Sequence, residues 1–240
     1  MSRLALITGG GRGIGAAISQ ALGEAGFQLI INYRSGAKEA ESLAAKFPGS
    51  AAVKADVATA EGCDALYDLI KKDYNGELYV LVNNAGIARD NPLFNASLVE
   101  FQDTVAANMQ SVWYLTKKLA RLMIRKKEGR IINISSIVGF TGNKAQSVYG
   151  MTKAAIDNFT RSAALELADY NILVNSVAPG FIDTDMTAAI PDEYKENILS
   201  GIPLGRMGTP AEVAQAVTFL ATSASYITGS VIHVNGGMHG

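Results

Sequence analysis

The sequence predicts a single doubly wound α/β domain, in which a parallel sheet of seven strands carries helices on both faces. Three observations lead there. Short apolar runs alternate along the chain with segments whose apolar residues recur at helical spacing, the pattern of a parallel sheet covered on both sides. A glycine-rich turn separates the first apolar run from the first helical segment. The 240 residues, 48% of them hydrophobic, suit one sizeable core and no second domain.

The elements follow in order. Leu4-Ala5-Leu6-Ile7 is the first strand, cut by Thr8-Gly9-Gly10-Gly11, after which Ile14, Ala17, Ile18, Ala21 and Leu22 mark the first helix. Phe27–Ile31 is the second strand, followed by a charged helix from about Ala37 to Lys46. Ala51–Val53 and Leu78–Val82 are the third and fourth strands, separated by a helix entered at Thr59. Ser97-Leu98-Val99-Glu100 is a capping box that opens a long helix through Asn108 and Trp113 towards Arg125. Arg130–Ile134 is the fifth strand and ends at Ser135-Ser136, and Ile172–Val177 is the sixth. Thr209-Pro210-Ala211-Glu212 joins a cap, a first-turn proline and a glutamate at N3, so a helix begins there. Val231–Val234 is the seventh strand. The breaker-rich stretch between Pro179 and Gly208 interrupts this alternation and predicts a mobile substrate lid at about 184–208.

Composition narrows the function. A formal charge of −1, from 21 basic and 22 acidic residues, gives no global pull towards nucleic acid or an anionic membrane. The one cysteine, Cys63, excludes an intrachain disulfide framework and suits a reducing compartment. His233 and His239 lack the i+3 or i+4 partner of a helical metal site, so no metal centre is expected. No apolar run reaches the roughly eighteen residues of a membrane span, and Gly9–Gly11 break the early apolar stretch. A soluble, cytoplasmic protein is the expectation.

Two stretches carry chemistry. In Thr8-Gly9-Gly10-Gly11-Arg12-Gly13-Ile14-Gly15, glycines between a strand and a helix let the backbone approach a pyrophosphate, and the helix N-terminus offers free N–H groups. This reads as the phosphate turn of a Rossmann-type dinucleotide site, the alternative being an ordinary loop. An acidic residue usually ends the second strand of such a unit and takes the ribose hydroxyls, but here Asn32-Tyr33-Arg34-Ser35 stands there. Arg34 and Arg12 suit a 2′-phosphate instead, which favours NADPH, the alternative being two solvated surface arginines.

The second stretch is Ser147–Lys153. On a helix Tyr149 and Lys153, at i and i+4, share a face. A unit charge about 4 Å away at an effective dielectric near 20 is worth roughly 4 kcal/mol, about three pKa units off a phenol. The spacing therefore predicts a tyrosine that exchanges a proton near neutral pH.

These residues resemble the classical short-chain dehydrogenase/reductase family across essentially the whole chain. The resemblance rests on Thr8-Gly9-x-x-x-Gly13-Ile14-Gly15, Asp56-Val57, Asn83-Asn84-Ala85-Gly86, Asn108, Ser136, Tyr149-x-x-x-Lys153 and Pro179-Gly180, in the family's order. Asn83–Asp90, Val177–Met186 and Val234–Met238 are most similar to the bacterial branch that reduces 3-oxoacyl thioesters on acyl carrier protein. The resemblance implies that Tyr149 donates the proton and Lys153 shifts its pKa and anchors the ribose. It implies that Ser136 holds the substrate carbonyl, and Asn108 a water leading from Lys153 to solvent. Asp56, with Val57, would face the adenine, and Asn83, Ala85 and Gly86 the adenosine side. Ile182 and Thr184, beyond Pro179 and Gly180, would meet the carboxamide. Asp56 as a cap and Asn83-Asn84 as a plain turn are the structural alternatives. A homotetramer in fatty acid biosynthesis is also implied, with the long helix and the Tyr149 helix forming one interface.

Arg121, Arg125, Lys126, Lys127 and Arg130 cluster at the end of the long helix, either as a solvated face at the helix dipole or as a dock for acidic acyl carrier protein. Family members commonly present arginines where this chain has Lys127 and Tyr170. Reduction of acetoacetyl-CoA or another small ketone is the enzymatic alternative, and a non-catalytic dinucleotide-sensing protein the alternative from another class.

Overall fold

The computed structural model describes residues 2–184, 187, 196 and 198–239. Seven parallel strands form one sheet: β1 (Leu4–Ile7), β2 (Gln28–Tyr33), β3 (Ala51–Lys54), β4 (Leu78–Asn83), β5 (Gly129–Ile134), β6 (Ile172–Pro179) and β7 (Val231–Val234). Their order is β3-β2-β1-β4-β5-β6-β7. The order reverses between β1 and β4, so a crevice opens at the carboxyl ends of those two strands.

The helices are α1 (Gly13–Glu24), α2 (Ala37–Ala44), α3 (Ala60–Asp73), α4 (Leu98–Val105), α5 (Ser111–Lys126), α6 (Val138–Thr141), α7 (Ser147–Leu167) and α8 (Pro210–Thr222). One apolar core, built on Ile7, Ile18, Leu22, Ile31 and Val217, lies under α1 and α8. A second, on the other face, joins Leu6, Leu66, Leu81, Leu119 and Ile131 under α3 and α5. Among the described residues no helix is long and apolar enough to cross a membrane.

Side-chain caps fix where three helices begin. Thr59 accepts the Gly62 N–H at 3.1 Å, and Ser97 with Glu100 and Thr209 with Glu212 form reciprocal capping boxes. The long helix expected from Ser97 to Arg125 is continuous but not uniform: Ala106–Gln110 forms a π-helical turn between α4 and α5. An inserted residue of this kind turns the side chains that follow it to a new face. Here it carries the fully buried Asn108.

A polar row crosses the middle of the sheet. Asn83, Asn133 and Ser176 are partners in register on β4, β5 and β6. Asn83 Nδ2 donates to Asn133 Oδ1 at 2.8 Å and to Thr116 Oγ1 on α5 at 3.1 Å, and Asn133 Nδ2 donates to Thr160 Oγ1 on α7 at 2.9 Å. Buried amides bonded on both sides specify how the helices sit on the sheet.

Beyond β6, Ile182 bridges to Gly208, the Asp183 N–H donates to the Gly208 carbonyl at 2.8 Å, and the Gly208 N–H donates to the Phe181 carbonyl at 2.9 Å. The stretch expected as a lid, 184–208, thus leaves the fold at this clamp and returns to it through the buried Ile202 and the Leu204 N–H, which donates to the Gly236 carbonyl at 3.1 Å. Residues 185, 186, 188–195 and 197 of it lie outside the described residues.

Candidate active site

The glycine turn shapes one side of the crevice. Gly9 and Gly13 adopt left-handed backbone, φ +61° and +52°, which glycine takes without strain. A Cβ on Gly15 would stand 2.2 Å from the Gly9 carbonyl oxygen and 2.6 Å from Asn84 Nδ2, so the turn closes only around a glycine. The next strand holds it: Asn84 Nδ2 donates to the Thr8 and Gly9 carbonyls at 2.9 and 3.2 Å, and Thr8 Oγ1 accepts the Asn84 and Ala85 N–H groups, both at 3.0 Å. Asn84 was not singled out from sequence. Its repetition of Asn83 hid the difference, because one strand position turns Asn83 into the polar row and Asn84 towards the turn.

This cradle fits a dinucleotide pyrophosphate. At the start of α1, Arg12 makes no side-chain cap and the first turn holds no acidic residue, unlike α3, α4 and α8. The leading N–H groups face the crevice without a side-chain acceptor, as an anion site requires. Thr184 Cγ2 would lie 3.9 Å from a Cβ on Gly13, which sets the end of the β6 loop against the same turn. Ile14 is half-buried against the α1 core. The Pro179 carbonyl accepts the Ile137 N–H at 2.9 Å, and the Gly180 N–H donates to the Val234 carbonyl at 2.9 Å.

On the adenosine side, Arg12 and Arg34 are exposed. Asn32 is buried: its Oδ1 accepts the Gly9 N–H at 3.4 Å and its amide donates to the Ala55 carbonyl at 3.0 Å. No carboxylate ends β2, but one reaches Arg34 from the neighbouring strand. Asp56 Oδ2 lies 4.0 Å from Arg34 Nη1, because the turn after β3 folds back alongside β2. Both side chains are about half exposed, so the pair is weak and leaves Arg34 available to another anion. Asp56 Oδ1 also accepts the Ala58 N–H at 3.0 Å, the bond of a turn, while Val57 is buried. Asn83 commits its side chain to Asn133 and Thr116, away from the crevice.

Asn108, Ser136, Tyr149 and Lys153 come together at the carboxyl ends of β4 and β5. A Cβ on Gly86 would meet Asn108 Oδ1 at 3.2 Å and Lys153 Nζ at 3.7 Å. Asn108 Oδ1 accepts the Ile87 N–H at 2.7 Å, and its Nδ2 donates to the Ile87 carbonyl at 2.8 Å and to Thr152 Oγ1 at 3.3 Å. Its side chain therefore clamps the segment after β4 onto α7. Ser135 and Ser136 point apart. The Ser135 hydroxyl donates back to the Val177 carbonyl at 3.3 Å, while Ser136 Oγ accepts the Val138 N–H at 3.2 Å and lies on the Tyr149 side, where it favours the ionised phenol.

The expected effect of Lys153 on the phenol is not what the structure shows. Burial raises the Tyr149 pKa above the ordinary phenol value, with the Ser136 hydroxyl opposing that and Asp90 adding to it. Lys153 Nζ lies 5.5 Å from the Tyr149 ring centroid and donates to the Ile134 carbonyl at 2.8 Å. Burial also lowers the ammonium's own pKa to about 8, with Asp157 opposing the shift. The phenol is held protonated, the form a proton donor needs.

A dinucleotide cradle at a switch point, beside a buried phenol and ammonium, is the equipment of a nicotinamide-dependent oxidoreductase. Residues 9–239 match the family model described as Enoyl-(Acyl carrier protein) reductase. Full-length similarity is found to reductases named 3-oxoacyl-[acyl-carrier-protein] reductase FabG. That of Aquifex aeolicus is 46% identical over 98% of this chain and 97% of its own, and that of Staphylococcus aureus 45% identical over 100% and 99%. The Haemophilus influenzae protein is 44% identical over 99% and 98%. The chain belongs to the short-chain dehydrogenase/reductase family.

Proposed function

We propose that this protein reduces a 3-oxoacyl thioester, carried on acyl carrier protein, to the 3-hydroxyacyl thioester in fatty acid biosynthesis, with NADPH. The convergence of Ser136, Tyr149 and Lys153 beside the glycine cradle carries this reading, and the whole-length similarity to the 3-oxoacyl reductases gives the substrate class. When bound, a nicotinamide dinucleotide would supply the hydride. The Ser136 hydroxyl and the Tyr149 phenol donate to the substrate carbonyl oxygen, where negative charge develops as the carbonyl carbon is reduced. Tyr149 then gives up its proton to that oxygen. Lys153 places a positive charge under the forming phenolate and holds the ribose. Asn108 keeps the wall between β4 and α7 in place through its Ile87 bonds.

The test is turnover of one acyl chain presented as 3-oxoacyl and as enoyl thioester, on carrier protein and on CoA, with NADPH and with NADH. Fastest turnover of the carrier-bound 3-oxoacyl form with NADPH is expected. Faster enoyl reduction would shift the assignment to the chemistry named in the matching family description, and equal rates on CoA would favour the small-thioester alternative.

Cofactor choice rests on Arg34. Arg34→Asp removes a partner for the 2′-phosphate and sets a second carboxylate beside Asp56. The NADPH:NADH ratio of kcat/KM is expected to fall by about tenfold or more. An unchanged ratio would place the 2′-phosphate elsewhere.

The carrier reading gains a geometric condition. The basic cluster surrounds the start of β5, whereas Ser136 follows its end, so a six-residue strand, roughly 20 Å, separates them within one chain. The apolar cleft between α5 and α7, lined by Met109, Trp113 and Phe159, suits a second copy. Antiparallel pairing of α5 across a two-fold there would bring the basic end of one copy towards the crevice of the other. A homotetramer built on this face meets the condition. Lys126 is paired with Glu77 at 2.8 Å, so Arg125 and Lys127 are the residues to reverse. Arg125→Glu with Lys127→Glu is expected to slow the carrier-bound substrate several-fold at low salt and to leave a CoA thioester nearly unchanged. Equal slowing of both would rule the dock out.

A further inference from the structure

Asp157 takes no part in the chemistry above, yet it continues the stripe of the reacting groups on α7. It lies one turn beyond Lys153 and two beyond Tyr149. Its side chain is 2% exposed, and Ser176 Oγ on β6 donates to Oδ1 at 2.7 Å. Oδ2 is buried without a hydrogen-bond partner. A carboxylate in that position is costly unless a charge answers it.

The groups that face it are few. From α7 come Lys153 and, one turn on, Arg161; from the end of β5 comes Ser135; from β6 comes Ser176; from β7 comes His233. Burial pushes the Asp157 carboxyl up, while Ser176, Ser135, Arg161 and Lys153 work to keep it ionised. Arg161 is exposed and screened by solvent. His233 is held below the ordinary imidazole value by burial and by the neighbouring His239, whose ring centroid is 5.2 Å away, so it supplies little charge at neutral pH. Lys153, 4% exposed, is the one buried cation among these groups. The relation is mutual, because the Lys153 ammonium has the Ile134 carbonyl as a neutral partner and Asp157 as a charge favouring its protonated form.

We propose that Asp157 is a positioning residue whose buried carboxylate keeps the Lys153 ammonium charged and seated on the Ile134 carbonyl, and so sustains proton donation by Tyr149 at alkaline pH. This rests on the assignment of Tyr149 and Lys153 given above. It adds a third member to the α7 stripe's working set, acting only through its neighbour.

The experiment compares wild type, Asp157→Asn, Ser176→Ala and Lys153→Met in kcat/KM for a 3-oxoacyl thioester and in NADPH affinity by fluorescence, each from pH 6 to 10. Asp157→Asn keeps the shape and the acceptor for Ser176 and removes only the charge, so activity near pH 6.5 is expected within about threefold of wild type. The alkaline loss should begin about one to two pH units earlier, making kcat/KM about tenfold lower or more at pH 9. The alkaline weakening of NADPH binding should move with it. Ser176→Ala, which removes one of the bonds that keep Asp157 ionised, should move both profiles in the same direction and by less than Asp157→Asn. A uniform loss at all pH values, or unmoved profiles in Asp157→Asn, overturns the proposal. Retained turnover in Lys153→Met would instead overturn the assignment of the reacting groups themselves.

Discussion

Replacing Tyr149 by phenylalanine is expected to lower kcat by at least about a hundredfold while leaving dinucleotide affinity nearly unchanged. The substitution removes the only group placed to deliver a proton to the substrate oxygen in the proposed reaction. The ring, which packs under Lys153 Nζ at 5.5 Å, stays. Because burial holds the phenol above its ordinary value, the wild-type donor remains protonated across the physiological range. The first alkaline loss of activity should therefore come from Lys153, near its depressed value of about 8, and not from the tyrosine. Steady-state rates and a fluorescence titration of NADPH on the same preparation decide the matter, and near-normal turnover would remove Tyr149 from the mechanism.

Gly15→Ala should produce the largest loss in cofactor binding. An alanine methyl would stand 2.2 Å from a backbone oxygen, that of Gly9, so no side chain can swing away to make room. The turn must open instead, at an overpacking cost of about 1–3 kcal/mol, which corresponds to a Kd raised about 5- to 150-fold. Alanine is the better helix former, so α1 itself has no reason to unravel. Melting temperature checks that point, and an unchanged Kd would show that the pyrophosphate does not rest on this turn.

Much of this was legible in the sequence because the signals were local. Thr59, Ser97 and Thr209 announce their helices through bonds made within one turn, and all seven strands follow from apolar runs bounded by glycine or polar residues. The parallel sheet followed from alternation alone. What escaped depends on neighbours far along the chain. The π-helical turn at Ala106–Gln110 leaves no mark in composition, since its residues suit an α-helix equally well. Asn84 looks like a second turn asparagine until β1 is laid beside it. Asp157 reads as a polar helical residue until β6 buries it. The pairing of Tyr149 with Lys153 was right in spacing, but the Ile134 carbonyl, nineteen residues earlier, decides where the ammonium points.

The clamp between Ile182 and Gly208 has a consequence for how such an enzyme can change. Backbone bonds that no side chain supplies fix the chain at both ends of this stretch, at the clamp itself and at Leu204, whose N–H donates to the Gly236 carbonyl at 3.1 Å. Doubling the length of a tethered excursion adds only about 0.6 kcal/mol to its closure. Segments of different length and sequence can therefore be exchanged between 185 and 201, short of the buried Ile202, at little closure penalty, while the cradle and the α7 stripe keep their positions. Diversification over substrates then becomes a matter of replacing one cassette, and graft libraries confined to that interval are the natural place to look for altered acyl preference.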